Sequence, residues 1–248
     1  MSSSPFTYLI TGANRGLGYV YSKALLAAKP NIRIVAAARD PAGSEQLQTL
    51  KKENEGRVYL LKLEVTDPEQ AKQAAKELED SDFLRDGGID ALANVAGVAV
   101  NFAPPSQLTK KDILDNLKVN VFGVLAVTEA FLPLVRKSKA KQIFNVSSTV
   151  GSIEMHGPIP ALTAYAISKT ALNMYTKKLA SELGPEGFTV VPFCPGYVRT
   201  DMNKTPDGQN GELEPEEAAN LAVKNVFLKV TPADNGVFYA QDGAVRPW

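Results

Sequence analysis

Short apolar runs alternate with longer segments of helical periodicity along this chain. The apolar runs cover residues 6–11, 32–38, 58–65, 89–94, 142–147 and 189–193, and the helical segments cover 16–29, 45–54, 68–79, 111–137, 165–183 and 215–228. Turn residues bound the apolar runs, which is typical of buried strands. Asp67-Pro68 and Glu214-Pro215 are helix-start signals. The alternation predicts an α/β fold with right-handed crossovers and a parallel sheet covered by helices on both faces.

Composition favours a small-molecule partner. The chain has 248 residues, 44% of them hydrophobic, which is enough for a sizeable core and is typical of one domain over residues 1–248. Its 27 basic and 27 acidic residues cancel, so no overall field would attract nucleic acid or an acidic membrane surface.

The chain carries few signals of compartment. Cys194 is the only cysteine and cannot form an intrachain disulfide. Residues 1–5 carry no basic segment followed by an apolar one, and no stretch is expected to approach the roughly 18 apolar residues that span a bilayer. We therefore expect a soluble cytoplasmic protein.

A glycine-rich turn follows the first predicted strand. In Thr11-Gly-Ala-Asn-Arg-Gly-Leu-Gly18, glycines stand at 12, 16 and 18, where strand gives way to helix. Glycine there permits a tight turn and brings the backbone close to a pyrophosphate at the positive end of a helix. Three glycines alone are also compatible with an ordinary strand-to-helix turn.

The Gly-x-x-x-Gly-x-Gly spacing resembles the short-chain dehydrogenase/reductase family in its compact single-domain form. Five further elements occur in that family's order: Asn94-Val-Ala-Gly97, Asn120, Ser148, Tyr165 with Lys169, and Pro195-Gly-Tyr-Val-Arg-Thr200. Val95 replaces the family's second asparagine. The resemblance implies a doubly wound Rossmann fold with a mostly parallel seven-stranded sheet. Within the family, the chain resembles carbonyl reductases, sniffer-like and C-factor-like proteins, and fungal norsolorinic acid ketoreductase-like enzymes.

The resemblance also implies a nicotinamide cofactor and its contacts. These are Gly12, Asn14, Arg15, Gly16, Leu17, Gly18, Arg39, Glu64, Val65, Asn94, Ala96, Gly97, Tyr165, Lys169, Pro195, Gly196, Val198 and Thr200. Ala38 stands where an acidic residue would select NAD, and Arg39 and Arg15 are suited to the additional phosphate of NADP. We therefore predict NADPH. Alternatively, Arg39 pairs with Asp40 or Glu64 on the surface.

The expected catalytic residues are Asn120, Ser148, Tyr165 and Lys169. Tyr165 and Lys169 are four residues apart on a predicted helix, so they share a face, and we expect the ammonium to lower the pKa of the phenol. Tyr165 is then a general acid in carbonyl reduction or a general base in alcohol oxidation. Ser148 would bind the substrate oxygen, although adjacent Ser147 faces the opposite way. By resemblance, Lys169 holds the nicotinamide ribose and Asn120 positions a water for proton relay.

The predicted substrate pocket combines Ser148 and Tyr165 with Met155, Tyr197 and Met202. Phe102 and His156 border the same region, although each apolar residue could instead simply pack against the fold. Ser148 and Tyr165 are 17 residues apart, and the segment between them is expected to form a loop beside the pocket. No metal cluster is visible, and His156 is interpreted as a pocket or surface residue.

Together these features predict an NADPH-dependent reductase of a hydrophobic or aromatic ketone or a quinone. The alternative is an NADPH-binding signalling module with little turnover. Segments 111–137 and 165–183 are those that pair across subunits in many relatives, so a homodimer or homotetramer is a further expectation.

Overall fold

The seven strands form one parallel sheet. The structure, a computed structural model, describes residues 4–84, 87–155, 160–203 and 211–248. The strands are β1 (Phe6–Thr11), β2 (Ile32–Ala38), β3 (Val58–Lys62), β4 (Ala91–Asn94), β5 (Gln142–Val146), β6 (Thr189–Cys194) and β7 (Tyr239–Ala240). Their spatial order is β3-β2-β1-β4-β5-β6-β7, with each pair parallel. This is the predicted doubly wound Rossmann arrangement.

Helices cover both faces of the sheet. They are α1 (Gly16–Ala28), α2 (Glu45–Glu53), α3 (Pro68–Glu79), α4 (Lys110–Leu117), α5 (Val124–Arg136), α6 (Thr163–Leu183) and α7 (Pro215–Ala222). One core packs the sheet against α1, α2 and α7, and the other against α3, α5 and α6. Along β1 the side chains alternate, with Tyr8 and Ile10 in the first core and Leu9 in the second.

The first turns of several helices carry the expected caps. Asp67 accepts hydrogen bonds from the backbone N–H groups of Glu69 and Gln70, and Pro68 follows it, which confirms that predicted helix start. Thr109 and Asp112 form a reciprocal capping box at the start of α4.

The structure corrects several predicted boundaries. Strand β3 ends at Lys62 rather than at 65, and β7 was absent from the apolar pattern. The predicted 111–137 helix is continuous over Lys110–Arg136, but a π-helical turn at Lys118–Gly123 separates α4 from α5. Such turns often occur at functional sites.

We expected no stretch with the length and apolar character needed to span a bilayer, but one described helix meets both criteria. Lys110–Arg136 is long and apolar enough to cross a bilayer by length and composition. Half of its apolar window is buried inside the protein, where Val127 and Phe131 pack against the sheet. A helix that is apolar because it packs in the core passes the same test.

Candidate active site

The sheet reverses its strand order between β1 and β4, and ligands of open α/β sheets bind at such a point. There, Thr11 accepts hydrogen bonds from the backbone N–H groups of Val95, at 2.9 Å, and Ala96, at 3.0 Å. A single hydroxyl thus joins the glycine-rich turn to the Asn94–Gly97 element.

The surroundings of the three glycines in the turn differ, and they explain why residues without a Cβ occupy positions 12 and 18. Gly12 has φ +66°, and a Cβ there would lie 3.0 Å from Ala96 Cα, so the two loops approach through glycine. A Cβ on Gly18 would lie 2.4 Å from Gly12 O. Gly16 has φ +54° but faces open space at the N-terminus of α1, where Arg15 makes no side-chain capping bond. Backbone N–H groups at this helix end fit a pyrophosphate group.

The two adjacent serines face different parts of the molecule. Ser147 is buried and donates a 2.5 Å hydrogen bond to Asn173 Oδ1 on α6. Ser148 is partly exposed, and its hydroxyl hydrogen-bonds the phenol of Tyr165. Ser148 Oγ also accepts the backbone N–H of Val150 at 3.3 Å. The serine that reaches the tyrosine is therefore Ser148.

Tyr165 and Lys169 lie on one face of α6, as their spacing predicts. Lys169 is buried, and its Nζ donates a 2.8 Å hydrogen bond to Val146 O and lies 5.5 Å from the centre of the Tyr165 ring. Burial lowers the pKa of Lys169 to about 8. An ammonium has three donors, so two can still serve a ligand.

The pKa of Tyr165 differs from the sequence-based expectation. Burial raises it above its ordinary value, and the hydrogen bond with Ser148 acts only weakly in the opposite direction. The expected lowering by Lys169 is therefore wrong. Desolvation of the phenolate outweighs the attraction of a lysine that is itself buried and directed at Val146.

Gly151 packs the serine turn directly onto α6. A Cβ at Gly151 would lie 2.7 Å from both the carbonyl carbon and the Cβ of Lys169. Thr170 and Asn173 donate hydrogen bonds to Gly151 O at 2.9 and 3.2 Å. The segment that carries Ser148 and the helix that carries Tyr165 and Lys169 are thereby fixed to each other.

Asn120 lies in the π-helical turn and is fully buried. Its Oδ1 accepts the N–H of Val98 at 2.9 Å, and its Nδ2 donates to Val98 O at 2.8 Å and to Ser168 Oγ at 2.9 Å. Ser168 in turn donates to Tyr165 O at 2.7 Å. The amide thus connects the segment after Gly97 to the helix of the tyrosine.

Both arginines of the predicted phosphate site are paired with carboxylates. Arg15 Nη1 lies 3.5 Å from Asp201 Oδ2, and Arg39 Nε lies 4.0 Å from Glu64 Oε2. The Arg39 side chain is 76% exposed and that of Arg15 is 66% exposed. Such surface pairs contribute about 0 to 1 kcal/mol, so either arginine can exchange its partner for a phosphate.

The remaining predicted contacts are placed around the same edge of the sheet. Gly196 has φ +84° in the turn after β6. Asn94 is buried, and its Nδ2 donates to Asn145 Oδ1 at 2.9 Å and to Thr128 Oγ1 at 3.3 Å, so its side chain joins β4 to β5 and α5. Pro195 and Val198 are buried, whereas Asn14, Leu17, Val65, Ala96, Gly97 and Thr200 are partly buried.

The predicted substrate residues are exposed apolar side chains. Met155 and Met202 are each 39% exposed, Tyr197 is 51% exposed and Phe102 is 54% exposed. His156 lies outside the described residues, as does most of the polar loop after residue 203. Among the described residues, no group of three or more His, Cys, Asp or Glu side chains could hold a metal ion.

Comparison with known proteins establishes the family. The family model for short chain dehydrogenase matches residues 7–210. The chain belongs to the short-chain dehydrogenases. It is 34% identical to an uncharacterized oxidoreductase of Saccharomyces cerevisiae over 98% of both chains.

Two solved short-chain dehydrogenases share the whole architecture. An NADPH-bound carbonyl reductase from chicken fatty liver has 30% identity and a TM-score of 0.87, covering 99% of this chain and 100% of that one. The carbonyl reductase Sniffer of D. melanogaster has 29% identity and a TM-score of 0.88 with the same coverage. This chain is thus an oxidoreductase of the short-chain dehydrogenase family.

Several residues that shape this short-chain dehydrogenase site are not apparent from the sequence motifs. Thr11 joins the glycine-rich turn to the Asn94–Gly97 element, whereas Ser168 and Asn173 hold the tyrosine helix and the serine turn through the hydrogen bonds described above. Asn116 contacts the segment after Gly97 in the same way as Asn120. Its position four residues before Asn120 on a helix is a signal that could have identified it.

Proposed function

We propose that the protein is an NADPH-dependent reductase of a carbonyl substrate. The observation that carries this proposal is the contact of Ser148 with the Tyr165 phenol, with Lys169 one helical turn away on the same face of α6. A phenol with a raised pKa stays protonated at neutral pH, and the protonated form is the one that a general acid requires. The direction of reduction follows from the proposed preference for NADPH.

Each residue of the site then has a defined task. The hydroxyls of Ser148 and Tyr165 donate hydrogen bonds to the carbonyl oxygen and orient it. When bound, NADPH supplies the hydride to the carbonyl carbon. Tyr165 gives its proton to the oxygen, and the charge of Lys169 stabilises the phenolate that remains. The same ammonium has donors free for a ribose hydroxyl.

The preference for NADPH rests on the cations near the glycine-rich turn. Arg15 and Arg39 are both exposed, and they form surface ion pairs with Asp201 and Glu64, respectively. A phosphate carries more charge than a carboxylate and accepts bidentate hydrogen bonds from a guanidinium. The NADPH bound to the chicken carbonyl reductase supports the same preference.

We propose a hydrophobic or aromatic ketone or a quinone as the substrate. Met155 follows β5, and Tyr197 and Met202 follow β6; all three are exposed and offer apolar and aromatic surface. Methionine adapts to varied shapes and contacts aromatic rings favourably. The similarity to two carbonyl reductases supports this class.

NADPH oxidation with a panel of quinones and aromatic ketones tests the proposal. We expect turnover that falls about 10²- to 10⁴-fold in Tyr165→Phe, with NADPH binding retained. Tyr59→Phe is the matched control, because that phenol bonds Glu77 at the far edge of the sheet. Equal activity in wild type and Tyr165→Phe would refute the mechanism. NADPH binding without turnover across the panel would favour the signalling module.

We also propose that the protein forms a homodimer or homotetramer through α4, α5 and α6. These helices and the π-helical turn between α4 and α5 expose large apolar side chains, namely Leu114, Phe122, Leu125, Ile167 and Met174. Exposed apolar side chains that gather on one surface mark interaction sites, and this is the surface that we propose for the subunit interface. Sedimentation equilibrium measures the assembly, and a monomer at micromolar concentration would refute it.

A further inference from the structure

Two asparagines, one helical turn apart, hold the segment that follows Gly97. Asn120 pairs with both backbone groups of Val98, as described above. Asn116 does the same for Val100: its Oδ1 accepts the Val100 N–H at 3.3 Å, and its Nδ2 donates to Val100 O at 2.8 Å. Asn116 is fully buried, and its Nδ2 also donates to Asp112 O at 2.9 Å.

This pairing imitates a β-ladder with side-chain amides in place of a second strand. Alternate residues of an extended segment present their N–H and C=O groups to the same side, so Val98 and Val100 both face the helix. Asn116 and Asn120 are four residues apart, which places them about 6 Å apart along the helix axis, the distance between alternate residues of a strand. The segment is therefore held at two successive points.

The backbone turns sharply directly after the second point. Asn101 has φ +62°, a left-handed conformation uncommon for residues other than glycine, and its Nδ2 donates to Asp115 Oδ2 at 2.9 Å. Strained conformations persist where the surroundings enforce them and concentrate at functional sites. Here the surroundings are consecutive residues of α4, Asp115 and Asn116.

The segment begins at the centre of the candidate active site and ends in an exposed aromatic ring. A Cβ on Gly97 would lie 3.2 Å from Asn120 Oδ1 and 3.7 Å from Lys169 Nζ, which places the start beside the lysine. From there the chain runs along α4, and it exposes Val100 at 37% and Phe102 at 54%. Apolar side chains that are kept exposed on a rigidly held segment are suited to contact a ligand.

We infer that Asn116 is a positioning residue for substrate recognition. With Asn120, it holds the segment from Val98 to Phe102 as a rigid apolar wall, and this wall contacts the part of the substrate remote from the reacting carbonyl. The inference rests on the proposed carbonyl reduction and adds the residue that sets which substituents the enzyme accepts. Asn120 serves the tyrosine helix as well, whereas among the described residues the hydrogen bonds of the Asn116 side chain go only to Val100 and to its own helix.

Asn116→Ala tests the inference through the dependence of KM on substrate size. We expect KM to rise about tenfold for a ketone with a large aromatic substituent and less than about threefold for a small ketone. The kcat for the small ketone and the Kd of NADPH should both stay within about threefold of their wild-type values. Equal changes of KM for the two substrates would overturn the inference.

Two further variants distinguish a specific effect on substrate recognition from a general loss of stability. Asn235→Ala is the matched control, because Asn235 also accepts a backbone N–H, from Val190, and donates to a carbonyl, Ala180 O, at the opposite end of β6. It should leave the KM ratio of the two substrates unchanged. Phe102→Ala removes an exposed ring, which the fold tolerates, and it should reproduce the selective rise in KM. An unchanged KM ratio in Phe102→Ala would mean that the wall does not contact the substrate, which would overturn the inference.

Hydrogen exchange separates failure of this inference from failure of the proposed function. The amides of Val98 and Val100 should be protected in wild type, and protection of Val100 should fall at least about tenfold in Asn116→Ala. This readout does not depend on turnover. Wild type without turnover of any ketone would refute the proposed function, whereas unchanged protection of Val100 would refute the role of Asn116.

Discussion

The Nζ atom of Lys169 lies 5.5 Å from the centre of the Tyr165 ring, one helical turn along α6. The lysine is buried and its hydrogen bond goes to Val146 O, so its pKa falls to about 8 while that of the phenol rises. Two groups that ordinarily titrate near the same pH are therefore separated, with the lysine losing its proton first.

This separation predicts how reduction depends on pH. Below about pH 8, Lys169 is charged and Tyr165 is protonated, which is the active combination. Above it, the ammonium is lost while the phenol keeps its proton, so kcat/KM for the ketone should fall about tenfold per pH unit. A rate profile from pH 6 to 10 measures this. Lys169→Arg keeps its charge throughout, so its residual activity should lack the alkaline fall; a flat wild-type profile would contradict the assignment.

The same lysine should reduce the stability of the fold. Its folded pKa of about 8 is below its unfolded value, so burying the charge costs free energy at pH 7, and this cost disappears as pH rises from about 8 to 10.5. The difference corresponds to an upper limit of about 3 kcal/mol, less about 1 kcal/mol for the lost bond to Val146 O. Lys169→Met should therefore raise the free energy of unfolding at pH 7 by about 1 to 2 kcal/mol.

Urea unfolding at two pH values checks that prediction. The advantage of Lys169→Met over wild type should be present at pH 7 and should nearly vanish, or reverse, at pH 10.5, where the wild-type lysine is neutral in the folded protein and about half neutral in the unfolded chain. A constant difference at both pH values would show that packing, rather than charge, separates the two proteins.

The adjacent serines should give opposite phenotypes. Ser148→Ala removes a hydroxyl at the partly exposed site, so it should lower kcat about 10²-fold or more and change stability little. Ser147→Ala leaves Asn173 Oδ1 buried without its donor, so it should cost about 1 to 3 kcal/mol of stability and retain most activity. Activity and thermal unfolding of both variants decide the point. Loss of activity in Ser147→Ala alone would reverse the assignment.

The two arginines should make the protein bind NADPH more tightly than NADH. Arg15→Met and Arg39→Met each remove a charge-assisted contact to the additional phosphate, so each should raise the Kd of NADPH about 10- to 100-fold. NADH lacks that phosphate, and its Kd should change less than about threefold. Fluorescence titration of both cofactors provides the comparison. Equal losses for the two cofactors would contradict the proposed preference.

Much of the fold could be predicted because the apolar pattern is local. Six strands of the sheet were found, since each is a short buried run between turn residues. Tyr239–Ala240 was missed because a two-residue strand has no periodicity to detect. The π-helical turn at Lys118–Gly123 was also missed, since it preserves a helical pattern and changes only which backbone groups are bonded.

The chemistry of the site was less predictable than its residues. The i, i+4 spacing of Tyr165 and Lys169 indicates that they share a face, but the direction of a pKa shift depends on burial and on the Val146 carbonyl, neither of which spacing reveals. The structure distinguishes Ser147 from Ser148 by the hydrogen bond that Ser147 donates to Asn173. Asn173 lies 26 residues after Ser147, so the local sequence does not reveal this partner. Similarly, Arg39 is free to bind phosphate only to the extent that Glu64 releases it.

The contact between Gly151 and Lys169 has a practical meaning for anyone who redesigns this enzyme. With no room for even one methyl group between the serine turn and α6, the two are packed against each other as a single block. Variation introduced there will be rejected by the fold before it can alter selectivity. Libraries aimed at new substrates should be directed to Val100, Phe102 and Met155, where the chain can change its surface without disturbing the proton donor.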